Sequence, residues 1–165
     1  MQDSFTAQTL FQSPQETATF AADLAPFLHD GDVILLSGEI GAGKSHFARS
    51  LIQKRLAEHG LNEDVPSPTF TLVQTYNDSK CDIWHADLYR LNGPADVDDL
   101  GLWDAFDTAI CLVEWPDRLG NSAPENALSL TLTAPGNPGS RSALFHTNNP
   151  EWTSRLVKLG LANER

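Results

Sequence analysis

The segment Gly38-Glu39-Ile40-Gly41-Ala42-Gly43-Lys44-Ser45 decides the fold, because it satisfies the pattern G-x-x-x-x-G-K-[ST] in the context that pattern needs. The apolar run Val33-Ile34-Leu35-Leu36 leads into it and a helical pattern leads out. That order lets backbone N–H groups turn inward around a triphosphate, with the positive N-terminal end of the next helix behind them. Residues Glu39, Ile40, Gly41, Ala42, Gly43, Lys44, Ser45 and His46 are therefore expected along a bound nucleotide. Lys44 reaches the β- and γ-phosphates, and the Ser45 hydroxyl ligates Mg²⁺. The competing reading is an ordinary Gly-rich turn between strand and helix; the flanking elements count against it.

Working outward, Ser13-Pro14-Gln15-Glu16 is a capping box with proline at the first helical position. Phe20, Leu24, Phe27 and Leu28 recur at helical spacing, which predicts a helix from about Pro14 to Leu28. Phe5 to Phe11 alternates weakly and reads as an edge strand. After Lys44, Phe47, Ala48, Leu51, Ile52 and Leu56 form one apolar side of a helix ending near Gly60. Val65-Pro66-Ser67-Pro68 is too proline-rich to be helical. Phe70 to Tyr76 and Cys81 to Leu88 read as two strands joined by the turn Asn77-Asp78-Ser79, hence antiparallel. Val97 to Phe106 carries one or two short acidic helices. Ala109-Ile110-Cys111-Leu112-Val113 is unbroken in its apolarity, the mark of a strand buried on both faces. Leu128, Leu130 and Leu132 alternate with polar residues and pair with Arg141 to Thr147 across a Pro- and Gly-rich turn. A last helix runs from about Pro150 to Leu159. These elements predict an α/β, P-loop NTPase-like fold with a mixed parallel/antiparallel sheet flanked by helices, residues 1–165 forming a single domain.

Bulk composition narrows the function classes. Hydrophobic content of 41% and charged content of 20% describe a soluble globular chain. No apolar run is long enough to span a bilayer and no secretory leader begins the chain, so a cytoplasmic location is expected. The net charge is −11, with eleven Lys and Arg against twenty-two Asp and Glu. A protein gripping nucleic-acid phosphates directly carries a basic surface, so that class is disfavoured; an acidic surface suits a basic protein partner or simply aids solubility. Cys81 and Cys111 both stand in apolar, strand-like stretches and are expected to be buried, unreactive thiols. The five histidines show no metal-ligand spacing.

A phosphate loop needs a second carboxylate near its metal, at the end of a neighbouring buried strand. Glu114 ends the most apolar run in the chain, and Asp87 ends Ile83-Trp84-His85-Ala86. One can hold the metal while the other positions water, although a strand-end carboxylate also serves merely to cap a following helix. Ser67 and Thr69 sit in a proline-restricted turn where hydroxyls could report a γ-phosphate, as switch loops do. Trp115 is a candidate partner contact, with core packing as the alternative, and Tyr89 and Arg90 read as packing and surface charge.

Taken together, the phosphate loop, Ser67-Pro68-Thr69-Phe70-Thr71-Leu72-Val73, His85-Ala86-Asp87-Leu88-Tyr89-Arg90-Leu91 and Leu112-Val113-Glu114-Trp115-Pro116 resemble, in order and spacing, the TsaE (YjeE) family of bacterial ATPases. The match runs from about Ser13 to Leu119. The resemblance implies ATP and Mg²⁺ binding, weak intrinsic hydrolysis stimulated by partners, and a role in threonylcarbamoyladenosine (t6A37) modification of tRNAs reading codons that start with A. It implies work beside the TsaB–TsaD complex, with tRNA met mainly through those partners. By the same carry-over Lys44 contacts phosphate, Ser45 and Glu114 hold the metal, and Asp87 is the carboxylate needed for hydrolysis. Ser67 and Thr69 fall in a switch-like loop, and Ser13 to Gln15 approach the base. Three positions depart from the family. Ser45 stands where Thr is usual, Glu39-Ile40 replaces Asp-Leu, and His46 replaces a Thr whose hydroxyl contacts do not carry over.

Three other functions compete. A small-molecule kinase of this fold commonly closes an arginine-rich lid, and the arginines here are dispersed in sequence. A GTPase switch lacks its Asn-Lys-x-Asp motif. A nucleotide-binding module without useful turnover is separable from the ATPase only by measurement.

Overall fold

The computed structural model describes residues 4–61 and 63–164. In chain order it contains β1 (Phe5–Phe11), α1 (Pro14–Leu24), β2 (Val33–Ser37), α2 (Lys44–Glu58), β3 (Val73–Asn77) and β4 (Asp82–Asp87). There follow α3 (Pro94–Val97), α4 (Leu102–Thr108), β5 (Ile110–Glu114), β6 (Leu128–Thr133), β7 (Arg141–Thr147) and α5 (Pro150–Lys158). All seven strands form one sheet in the order β1-β7-β6-β2-β5-β4-β3. Its centre, β6-β2-β5-β4, is parallel. The β7-β1 pair and β3 add antiparallel edges on either side. The mixed sheet expected from the sequence is thus present, with β1 at one edge.

Alternation along β2 explains why it lies in the middle. Ile34 and Leu36 join one core with Leu24 of α1, Phe47 and Leu51 of α2 and Trp152 of α5. Val33 and Leu35 face the opposite way, into a second core with Val97, Leu102 and Phe106. A strand that is apolar at every position is stable only when both faces are covered. β5, in which all five residues are buried, follows the same rule.

Two boundaries differ from expectation. The first helix ends at Leu24, and Ala25–Phe27 tightens into a 3₁₀ turn. Pro26 lacks the N–H that an α-helical continuation would use. The strand expected from Phe70 begins only at Val73. Leu72 adopts a left-handed φ of 70° and donates its amide to the Pro68 carbonyl at 2.7 Å, so residues 68–72 close a turn instead.

The β3–β4 turn is fastened to α2 by a buried ion pair. Arg55 donates to Asp78 at 2.7 Å and to the carbonyls of Ala25 and Leu28. Asp78 also accepts from the amides of Lys80 and Cys81. Burial drives the Cys111 thiol up to about 12, as befits an unreactive core cysteine. No helix among the described residues is long and apolar enough to cross a membrane.

Candidate active site

The parallel strands end at one level. Leu36 and Asp87 both stand opposite Glu114 in the sheet register, so the exits of β2, β4 and β5 lie side by side. In open α/β sheets ligands bind outside the carboxyl ends of the strands, where chain order reverses. Here β5 is inserted between β2 and β4, which precede it in sequence, and a cleft of about 620 Å³ opens at that place. Ile40, Gly41, Gly43, Lys44, Ser45 and His46 line one wall; Thr69, Asp87, Glu114 and Trp115 line the other. The remaining sequence candidates adjoin these lining residues. Ala42 is buried, the Glu39 carbonyl is tied to Lys44, and the Ser67 hydroxyl lies 2.8 Å from that of Thr69.

The polar groups of the cleft are joined to one another. The Ser45 hydroxyl donates to Glu114, with its Oε2 at 2.8 Å and Oε1 at 3.0 Å. From Ser45 a chain of hydroxyls crosses the cleft floor: Ser67 Oγ at 3.4 Å, then Thr69 Oγ1, which donates to Asp87 Oδ2 at 3.3 Å. Asp87 Oδ1 accepts the Tyr89 amide, which fixes the carboxylate's rotation. Lys44 donates to the carbonyls of Gly38 and Glu39 at 2.6 and 2.9 Å and stands 4.4 Å from the centre of the Trp115 ring. Burial pulls the Lys44 ammonium below its ordinary range, and the carboxylates of Glu114 and Asp87 push partly back. A cation held in that balance gains strongly from any further anion brought beside it.

Trp115 is half-buried and has a left-handed φ of 59°, a conformation that costs a non-glycine residue about 1–3 kcal/mol. Its ring packs edge-on against Tyr89 at 4.8 Å and covers Lys44. Trp115 therefore does both things the sequence left open to it: it walls the cleft and packs against the second core.

Several lining residues were not legible as such in the sequence. Arg141, at the start of β7, donates to the carbonyls of Ala42 and Gly41 at 2.8 and 3.1 Å and so braces the phosphate loop from outside. The only signal for it is the antiparallel return beside β6, which brings the beginning of β7 back to the cleft end of the sheet. Arg90 donates to the carbonyls of Thr69 and Phe70, tethering the turn that carries the switch-like hydroxyls. Both guanidiniums are committed to backbone oxygens, which suits braces better than a mobile arginine lid. Pro14 and Thr17 of α1 also line the cleft, and His46 Nε2 holds the Pro14 carbonyl at 2.9 Å. The capped start of α1 is thus fixed against the phosphate loop; Ser13 accepts the Glu16 amide as the capping box requires, while Glu16 reaches back to the amide of Gln12.

A hydroxyl and two carboxylates offer oxygen donors alone, the set that suits Mg²⁺. Among the described residues no group of three or more His, Cys, Asp or Glu could hold a metal ion by itself.

The family model for threonylcarbamoyl adenosine biosynthesis protein TsaE matches residues 11–142. The tRNA threonylcarbamoyladenosine biosynthesis protein TsaE of Rickettsia bellii is 36% identical over 76% of this chain and 85% of its own. The protein of the same description from Bacillus subtilis is 34% identical over 75% of each chain. The crystal structure of Bacillus subtilis YdiB superimposes with a TM-score of 0.75 at 25% identity, covering 96% of this chain and 97% of that one.

Proposed function

The chain belongs to the TsaE family of tRNA threonylcarbamoyladenosine biosynthesis proteins, and on that premise we propose that it is an ATPase binding ATP with Mg²⁺ in the cleft beside Lys44. The observation that carries this reading is the convergence of Lys44, Ser45, Asp87 and Glu114 at three adjacent strand ends. Backbone amides of the glycine bend and the N-terminus of α2 receive the phosphates. Lys44 exchanges carbonyl partners for phosphate oxygens and neutralises charge that grows on the β- and γ-phosphates. Ser45 and Glu114 would hold Mg²⁺, and the ion would supply positive charge to offset that on the phosphate oxygens. Asp87, held by Tyr89 N–H and Thr69 Oγ1, accepts a proton from and orients the attacking water.

The same reading makes the protein an accessory of the TsaB–TsaD complex in forming t6A37, with tRNA approached through those partners in the cytoplasm. The net charge of −11 supports an indirect encounter with tRNA, since a direct one would bring two acidic surfaces together. The test is phosphate release from ATP by the purified protein, alone and with TsaB–TsaD and tRNA. Slow turnover alone with a marked rise in the mixture is expected. Fast release without partners, or transfer of phosphate to a small metabolite, would overturn the assignment.

A further inference from the structure

His85 lies in the middle of β4 with no exposed surface, two residues before Asp87 and on the same face of the strand. Its Nε2 is 2.7 Å from Glu114 Oε2. Its Nδ1 has no hydrogen-bond partner among the described residues. These two facts select the tautomer. With the proton on Nε2, the ring donates to the carboxylate and leaves only a lone pair unmatched at Nδ1. With the proton on Nδ1, a buried N–H would go unpaired while two acceptors faced each other.

Glu114 is itself 3% exposed, and its oxygens are divided between two donors. Oε2 accepts from both His85 and Ser45, whereas Oε1 is approached only by Ser45 among these groups. The imidazole thus fixes the rotation of the carboxylate, leaving Oε1 to Ser45 alone among these groups, and Ser45 and Glu114 both line the cleft. Carboxylates that ligate metals are commonly held this way, and loss of the outer partner costs about 10–100-fold in metal affinity or activity.

We infer that His85 is a positioning residue for Glu114, setting through its Nε2–H the carboxylate orientation on which divalent-cation affinity at the Ser45–Glu114 pair depends. The inference rests on the Mg²⁺-nucleotide reading above. It separates His85 from an ordinary core histidine, whose removal would loosen β4 without touching metal dependence.

The experiment titrates Mg²⁺ into a fixed concentration of a fluorescent ATP analogue and protein, with parallel melting curves and binding in EDTA. Wild type, His85→Met and His85→Gln are compared. The Gln amide places a donor near the position of Nε2; Met fills similar volume without one. His85→Met is expected to raise the Mg²⁺ midpoint about 10-fold or more, leaving binding in EDTA unchanged and His85→Gln within about threefold of wild type. A metal-dependent wild type with an unchanged midpoint in His85→Met overturns this inference alone. So does a His85→Met loss that is equally large in EDTA, or a His85→Gln midpoint as high as that of His85→Met. If wild-type binding ignores Mg²⁺, the metal reading falls and this inference with it. Should His85→Met fail to fold, His85→Asn takes its place: the side chain stays polar yet stops short of Glu114, and a midpoint equal to that of His85→Gln overturns the assignment.

Discussion

Replacing Gly38 with alanine tests whether the phosphate loop is seated as tightly against β6 as its geometry requires. Gly38 has a φ of +142°, and a Cβ built there would lie 2.4 Å from the Leu132 carbonyl oxygen and 3.0 Å from the Ala42 Cβ. The first distance is about 1 Å inside ordinary van der Waals contact, and a backbone oxygen of a sheet strand cannot swing away as a side-chain tip would. The strained φ costs about 1–3 kcal/mol and the crowding a similar amount. Centred on about 4 kcal/mol, the loss lowers the Tm of a chain this size by about 8–16 °C. Because the loop must move by about 1 Å to relieve the contact, ATP turnover should fall on the order of 100-fold at temperatures where the variant is folded. Gly41→Ala is the control for melting: its φ is +83°, but nothing lies within 4 Å of the added carbon, so only the left-handed penalty of about 1–2 kcal/mol applies. Thermal melts and phosphate-release rates on both variants decide the matter. A Gly38→Ala chain that melts no lower than Gly41→Ala, or that turns over ATP at the wild-type rate, refutes the contact with Leu132.

Lys44→Ala is expected to abolish nucleotide binding, whereas Asp87→Ala keeps it and stops hydrolysis. Equilibrium binding and phosphate release on the same preparations separate the two, and normal turnover in Asp87→Ala would remove that carboxylate from the mechanism. Arg55→Met strands the buried Asp78 carboxylate and should cost about 3–5 kcal/mol, read by urea unfolding. Adding Asp78→Asn should restore part of the loss, because an amide oxygen still accepts from Lys80 and Cys81; no recovery would mean that the ion pair is not the cause. Burial alone would raise the Asp78 carboxyl, but the amides of Cys81 and Lys80 and the Arg55 guanidinium together hold it below its ordinary 3.8. Its stabilisation is then complete above that value and disappears as pH falls through the lower folded one. The Tm gap between wild type and Asp78→Asn should be flat from about pH 5 upward and narrow below about pH 4; a gap that widens on acidification contradicts the shift.

The cap at Ser13, the bend at 38–45, the turn at Asn77-Asp78-Ser79 and the doubly apolar run before Glu114 were all readable, because each is set by neighbours close in the chain. A glycine's φ, a cap's oxygen or a period of two carries its meaning within a few residues. Phe70 to Leu72 misled for the complementary reason. Their side chains suit a strand, but the Leu72 amide turns back to Pro68 and Arg90, twenty residues away, fastens the carbonyls of Thr69 and Phe70. Arg90 itself could not be told from a surface charge until that turn was in place.

That a phosphate loop joins a buried strand to a helix, and that two strands end in carboxylates, could be read from the amino-acid order, since both are patterns of adjacent residues. That β5 slips between β2 and β4 emerges from the folded sheet alone. That placement brings Glu114 to Ser45 and to His85, and returns Arg141 to the loop it braces. Strand order arises from covering both faces of β2 and β5 at once, a demand shared across the whole sheet that no short stretch of chain can express.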